Sequence, residues 1–309
     1  GGLSLPVRLL VIAAVAVAAA NVFNIEMTWD ALTYHLRLPT FYLYRHKIYD
    51  VWHHYYSPFP AQVEMLFAVV RPLAGDLGAR VMNALLALLL LAALRDLAAA
   101  LDVPAGRSML LLAASPLLLQ LATRCYADAG FALFCTLSFA RLIRWWRTGS
   151  GAALLASGAL AGFGLGSKYV GAIYWCAVAA ATVPRLATPA GRRAAVRWHL
   201  AAAFPLFPWL AKNLFLRGDP VAPFLDGWWG PPSVRPPDHL FPWEASPGGG
   251  VRPPGVLDRL AAVLFDQGHI DGPLPVAVAG LLPFLALWRA GPALAPVRRA
   301  VIAYLAVWA

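Results

Sequence analysis

The run Val81-Met-Asn-Ala-Leu-Leu-Ala-Leu-Leu-Leu-Leu-Ala-Ala-Leu94 holds no charge and one polar side chain. Its leucines and alanines are strong helix formers, and it is apolar on every face. Such a helix needs an apolar environment all round. The same pattern returns along the chain. Charge-free runs occupy residues 9–25, 81–94, 108–123, 129–140, 148–167, 169–184, 198–211, 272–288 and 300–309. Several are shorter than the roughly 20 residues of a membrane span, but flanking arginines can snorkel to the headgroups and extend them. The pattern predicts a single all-α integral membrane domain over residues 1–309, with about nine spans. The last run stops at Ala309 in mid-helix, so the chain reads as truncated there. The run 9–25 lacks a small-residue cleavage site and reads as an uncleaved first helix.

Composition agrees. The 309 residues are 60% hydrophobic and 13% charged, about half the charged fraction of a soluble domain. The net charge of +10 comes from basic residues that punctuate apolar runs. That placement fits positive-inside loops and anionic lipid and speaks against nucleic acid. Cys125, Cys135 and Cys176 show no metal or redox spacing.

Lysine and arginine also set an orientation. With Arg8 in the cytoplasm, the cytoplasmic loops hold Arg95 and Arg107, then Arg141, Arg144 and Arg147, then Arg185, Arg192, Arg193 and Arg197, then Arg289, Arg298 and Arg299. The short outer loops hold only Arg124 and Lys168. Two long loops, 24–80 and 212–271, fall outside. Within the first, residues 60–78 place Val63, Leu66, Phe67 and Val70 at helical spacing but include Glu64 and Arg71. This segment reads as an amphipathic helix lying on the outer leaflet. The second loop is rich in proline, glycine and tryptophan, as in Gly230-Pro-Pro, Gly248-Gly-Gly and Arg252-Pro-Pro. It reads as a partly ordered lid or a connector.

The chemistry lies outside under this orientation. Asp30 stands at the start of a helix, either as an N-cap or as a reactive carboxylate. Asp128 either ends a span or belongs to a site, since ionisable groups near membrane depth are costly and often functional. Lys168 either snorkels or neutralises a phosphate as a point charge. Gly162, Gly164 and Gly166 lie in an apolar helix, which favours close helix packing over a nucleotide loop. His53 and His54 are adjacent, which suits convergent metal ligation poorly, and no acidic residue has ligand spacing to them. A divalent metal is therefore unsupported.

The string Trp29-Asp-Ala-Leu-Thr-Tyr-His-Leu-Arg-Leu-Pro39, followed by Ser57-Pro-Phe-Pro-Ala-Gln-Val-Glu-Met-Leu66, resembles the first loop of bacterial GT-C glycosyltransferases. The protein-mannosyltransferase-like and aminoarabinose-transferase-like families are the nearest. Tyr126-Ala-Asp128, Gly166-Ser-Lys168-Tyr, Pro208-Trp-Leu-Ala-Lys-Asn213 and Gly218-Asp-Pro-Val-Ala-Pro223 resemble later blocks, in order. Two features depart from the pattern: Ala31 follows Asp30 where mannosyltransferases often have Glu, and these 309 residues hold no large soluble C-terminal domain.

The resemblance implies a GT-C-type multi-span bundle whose outer loops carry interfacial helices. It implies an inverting transferase of the inner (plasma) membrane, serving the cell envelope. The donor would be a polyprenyl-phosphate-linked sugar, and the acceptor a lipid, a polysaccharide or a protein. Asp30 would be the general base, with Asp128 shaping the catalytic site. Tyr34, His35, Lys168 and Arg217 would contact substrate, the two cations stabilising the leaving phosphate. A polytopic transporter or lipid flippase is the alternative. It would need mid-membrane ionisable groups and paired repeats, whereas the acids here sit at the ends of apolar runs.

Overall fold

The computed structural model describes residues 4–103 and 116–225. The expected spans 272–288 and 300–309, residues 108–115 of a third, and residues 226–271 of the second long loop lie outside the described residues. Those described form an all-α structure without strands. Eight α-helices follow in order: α1 (Leu5–Val22), α2 (Arg37–Arg45), α3 (Gln62–Ala100), α4 (Pro116–Thr123), α5 (Asp128–Thr148), α6 (Gly151–Leu165), α7 (Gly171–Thr182) and α8 (Pro189–Arg217). A π-helical turn (Ala31–His35) precedes α2, and a 3₁₀ turn (Val183–Ala187) precedes α8.

The amphipathic segment 60–78 and the run 81–94 belong to one element, α3, which breaks at Ala74 and Gly75. Gly75 has φ +60° and ψ −148°, a region essentially reserved for glycine. Before the break, Val63 and Phe67 are fully buried while Val69 and Leu73 are exposed, so the periodicity read from the sequence marks the packed face. The run 148–167 also divides. Gly149 closes α5 at φ +71°, and the Ser150 hydroxyl accepts the Ala153 N–H at 3.3 Å to start α6. In the other direction, α5 runs past Arg141 to Thr148, well beyond the charge-free stretch 129–140.

The principal packing chain runs α3 to α5 to α6 to α8, with α1 against α3 and α4, and α7 against α6. One apolar core lies between α3 and α5, around Phe67, Leu86, Leu90 and Leu133. A second joins α5 to α8 around Leu142, Ile143, Val178 and Trp198. Two polar pairs lie inside it: Tyr174 donates to Ser138 Oγ at 2.8 Å, and Trp198 Nε1 donates to Ser157 Oγ at 3.0 Å. Among the described residues one helix, α3, is long and apolar enough to cross a membrane, while Gly151–Leu165 and Gly171–Ala187 are apolar but shorter. Of the expected bundle of about nine spans, the described residues show an all-α bundle with one helix of spanning length and composition.

The Gly162 stripe does pack helices. A Cβ on Gly162 would meet the Ala202 carbonyl carbon at 2.8 Å and Pro205 Cδ at 3.0 Å on α8. Rigid backbone on the far side leaves little room to yield. Gly162→Ala should therefore lose about 1–3 kcal/mol through overpacking. Gly151→Ala, with nothing within 4 Å of the added carbon, serves as the control. Thermal unfolding of both purified variants checks this; equal melting of Gly162→Ala and wild type would remove the close contact.

Candidate functional site

The site is built where the first long loop meets the N-terminal ends of α3 and α5 and the C-terminal end of α6. Its entry is fixed by a buried acid and a buried base. Glu26 accepts the Thr28 N–H at 3.0 Å, the Thr28 hydroxyl at 2.5 Å and the Cys125 N–H at 2.9 Å. Burial pushes its pKa up, but these hydrogen bonds and the Arg80 charge outweigh it, and the net direction is down. Arg80 donates to the carbonyls of Asn21 at 2.6 Å, Thr123 at 3.1 Å and Asn24.

The chain then enters the π turn, closed by the Leu36 N–H on the Ala31 carbonyl at 2.9 Å. Three side chains clamp it. His54 Nε2–H donates to the Thr33 carbonyl at 2.8 Å, and Arg71 Nη1 to the Leu36 carbonyl at 2.8 Å. His35 Nδ1 lies 2.6 Å from Glu64 Oε1, with both side chains buried. π turns of this kind concentrate at functional sites.

Asp30 occupies the position before this turn, but its carboxylate caps no backbone N–H. The capping alternative therefore does not account for it. Its carboxylate instead faces the Tyr34 hydroxyl at 3.4 Å. Tyr34 stacks on Tyr56 with ring centroids 4.2 Å apart and lies 4.0 Å from the His35 ring. Burial, then the charges of Asp30, Glu64 and Asp128, push the Tyr34 hydroxyl far above its ordinary range. It stays protonated at any working pH and is a fixed donor toward Asp30.

Asp128 is the first residue of α5, where the helix dipole favours an anion. It pairs with Lys168 Nζ at 2.8 Å, each side chain about a third exposed. Lys168 is set by the turn that ends α6, where its N–H and that of Ser167 reach the Gly164 carbonyl at 3.2 and 3.0 Å. Asp30, Tyr34, His35, Asp128 and Lys168 are thus brought to one place from three separate segments. Glu64 joins them and was not singled out from the sequence. Its signal was there: it sits beside Val63 on the packed face of an amphipathic helix, where an acid needs a buried partner.

Arg217 belongs to a second group. Its Nε and Nη2 donate to Asp50 Oδ1 at 3.0 and 2.7 Å. Ser57 Oγ donates to the same Asp50 oxygen at 3.0 Å, and Lys212 Nζ to the Ser57 carbonyl at 2.6 Å. Asn213 donates to the Pro58 carbonyl at 2.7 Å. These contacts fasten the end of the first loop to the end of α8. The two groups are bridged by aromatic rings: Tyr56 to Phe59 at 5.5 Å, then Phe59 to Tyr169 at 5.6 Å.

The adjacent histidines part company. His53 is exposed and edges against Trp52, while His54 turns inward to Thr33. Among the described residues no group of three or more His, Cys, Asp or Glu gathers to hold a metal ion. No family model, curated protein or solved structure matches the chain.

His54 carries a pH signature. Burial, opposed by the Thr33 carbonyl, leaves its pKa below the ordinary 6.5, and Nδ1 is buried without a partner. Because the folded state binds this proton less readily than the unfolded chain, His54's contribution is present above 6.5 and is lost as pH falls through the depressed folded value. His54→Gln keeps an N–H donor for Thr33 without titrating. Melting temperatures of both proteins between about pH 8 and pH 5 should show wild type losing stability relative to the variant on the acid side. Parallel curves would mean His54 is not held neutral.

Proposed function

We propose that this chain is an inverting glycosyltransferase of GT-C type, moving a sugar from a polyprenyl-phosphate donor to a hydroxyl acceptor at the outer face of a membrane. The observation that carries the reading is the meeting of Asp30, donor Tyr34, Asp128 and Lys168 at one end of the helical bundle. Transfer from a phosphate needs a base for the nucleophile and a cation for the leaving group, held a substrate's width apart. The acceptor oxygen gives its proton to Asp30 and forms a bond to the anomeric carbon. The bond from that carbon to the phosphate oxygen breaks, and the phosphate departs with the electron pair. Lys168, oriented by Asp128, meets the growing negative charge. A single displacement inverts the anomeric centre. Arg217 takes no step in this scheme, because Asp50 already engages it.

A multi-span membrane setting is part of the proposal. The length and composition of α3 support it. So do apolar side chains left exposed: Leu5, Leu9 and Ile12 on α1, and Val196, Leu200, Phe204 and Phe207 on α8. Lipid would cover them. Arg141, Arg144 and Arg147 lie in the half of α5 away from Asp128, and Arg192, Arg193 and Arg197 in the half of α8 away from Arg217. The basic end and the acidic site are therefore at opposite ends of the same helices, which favours a cytoplasmic basic end and an outward site. The acids lie at helix ends, an arrangement that suits a transferase better than a transporter.

Asp30→Asn is the test. The asparagine still accepts the Tyr34 hydroxyl but cannot take up the acceptor's proton. It should melt like wild type and lose about 10²–10⁴ in turnover of a polyprenyl-phosphate sugar. Near-normal turnover by this variant sinks the reading.

Lys168 gives a second test. Lys168→Ala should raise the donor concentration needed for half-maximal rate, with Lys168→Arg retaining part of the function because the charge remains. Steady-state rates across donor concentrations check this. Unchanged donor dependence in the alanine variant would reduce Lys168 to a boundary charge.

A further inference from the structure

The side chains of His35 and Glu64 are 1% and 4% exposed and meet at 2.6 Å. Their other polar atoms, His35 Nε2 and Glu64 Oε2, are buried without hydrogen-bond partners. A pair with half its bonding capacity unused is a poor device for stability, because desolvating it costs more than one contact returns. Its location supplies a different reason. Glu64 reaches from the first turn of α3 to the last residue of the π turn, and that turn is led by Asp30. The Tyr34 and Tyr126 rings lie 4.0 and 5.5 Å from the His35 ring, Tyr56 stacks on Tyr34, and Lys168 pairs with Asp128. The Glu64 charge acts on the Tyr34 hydroxyl together with those of Asp30 and Asp128.

We propose that Glu64 and His35 form a positioning dyad for the transfer reaction: Glu64 holds the His35 ring, and through it the register of the turn that presents Asp30. The inference rests on Asp30 acting as the base. His54 and Arg71 fix the backbone carbonyls of the turn, and the dyad fixes the His35 side chain at its end.

The experiment compares Glu64→Gln, Glu64→Ala and Asp30→Asn with wild type. It reads melting temperature, amide hydrogen exchange over residues 31–36 against α5, and steady-state transfer from a polyprenyl-phosphate sugar. Glu64→Gln keeps an acceptor for His35. It should melt and exchange like wild type and retain most of its turnover. Glu64→Ala should exchange faster over 31–36 than wild type, with α5 unchanged, and its kcat should fall roughly tenfold or more while substrate KM values stay within about twofold. An Ala variant with wild-type kcat overturns the dyad, as does a Gln variant that loses as much turnover as the Ala variant. Unchanged exchange over 31–36 in Glu64→Ala overturns its positioning role independently of any turnover. An inactive Asp30→Asn beside a normal Glu64→Ala would remove the dyad alone. An active Asp30→Asn would remove the base assignment and the dyad's catalytic part with it, and the exchange data would still decide whether the pair holds the turn.

Discussion

Arg80 sits inside α3, just beyond its break, and spends its guanidinium on backbone carbonyls at Asn21, Asn24 and Thr123. A buried guanidinium left without acceptors is severely penalised, so the chain leaving α1 and the chain leaving α4 are both held against it. Glu26 completes the joint by taking the Cys125 N–H. From that joint the two segments run on in fixed directions, one into the turn behind Asp30 and the other into Asp128 at the start of α5. The relation between the two carboxylates is thus set several residues upstream of either.

The same region shows how charge is managed in a buried to half-buried site. Asp30, Glu64 and Asp128 surround one tyrosine, which adds no charge because burial and these carboxylates keep it protonated. Lys168 answers Asp128, and His35 answers Glu64. Asp30 has only the tyrosine hydroxyl among the contacts described for its side chain. It is the acid whose partner is neutral, which suits a group that must receive a proton. The second group, Asp50 with Arg217, Lys212 and Ser57, has the character of a fastening. Its members are shared among loop carbonyls and the end of α8, and they anchor the far side of the first loop.

Much of the helical fold was legible in the sequence because apolar composition and periodicity are local signals. The face of residues 60–78 could be read from Val63 and Phe67, and both are buried. Gly162 announced close packing, and α8 lies against it. Boundaries were less legible. Counting to the first charge cut α5 short at Arg141, yet that arginine stays in the helix and reaches Asp96 on α3 at 3.0 Å. The run 148–167 hid a helix end, since Gly149 and Ser150 carry no charge to mark it.

By itself the sequence pointed to a helical chain, to helices too apolar to be solvated all round, and to polar residues gathered at the ends of apolar runs. Those properties depend on composition and on spacing within a single segment. Only the tertiary structure decided which polar residues meet. His35 and Glu64 are 29 positions apart, Asp128 and Lys168 are 40, and Asp50 and Arg217 are 167. No local pattern encodes such pairings. They follow from the order in which α3, α5, α6 and α8 pack, and from the need of each buried charge for a partner once water is excluded.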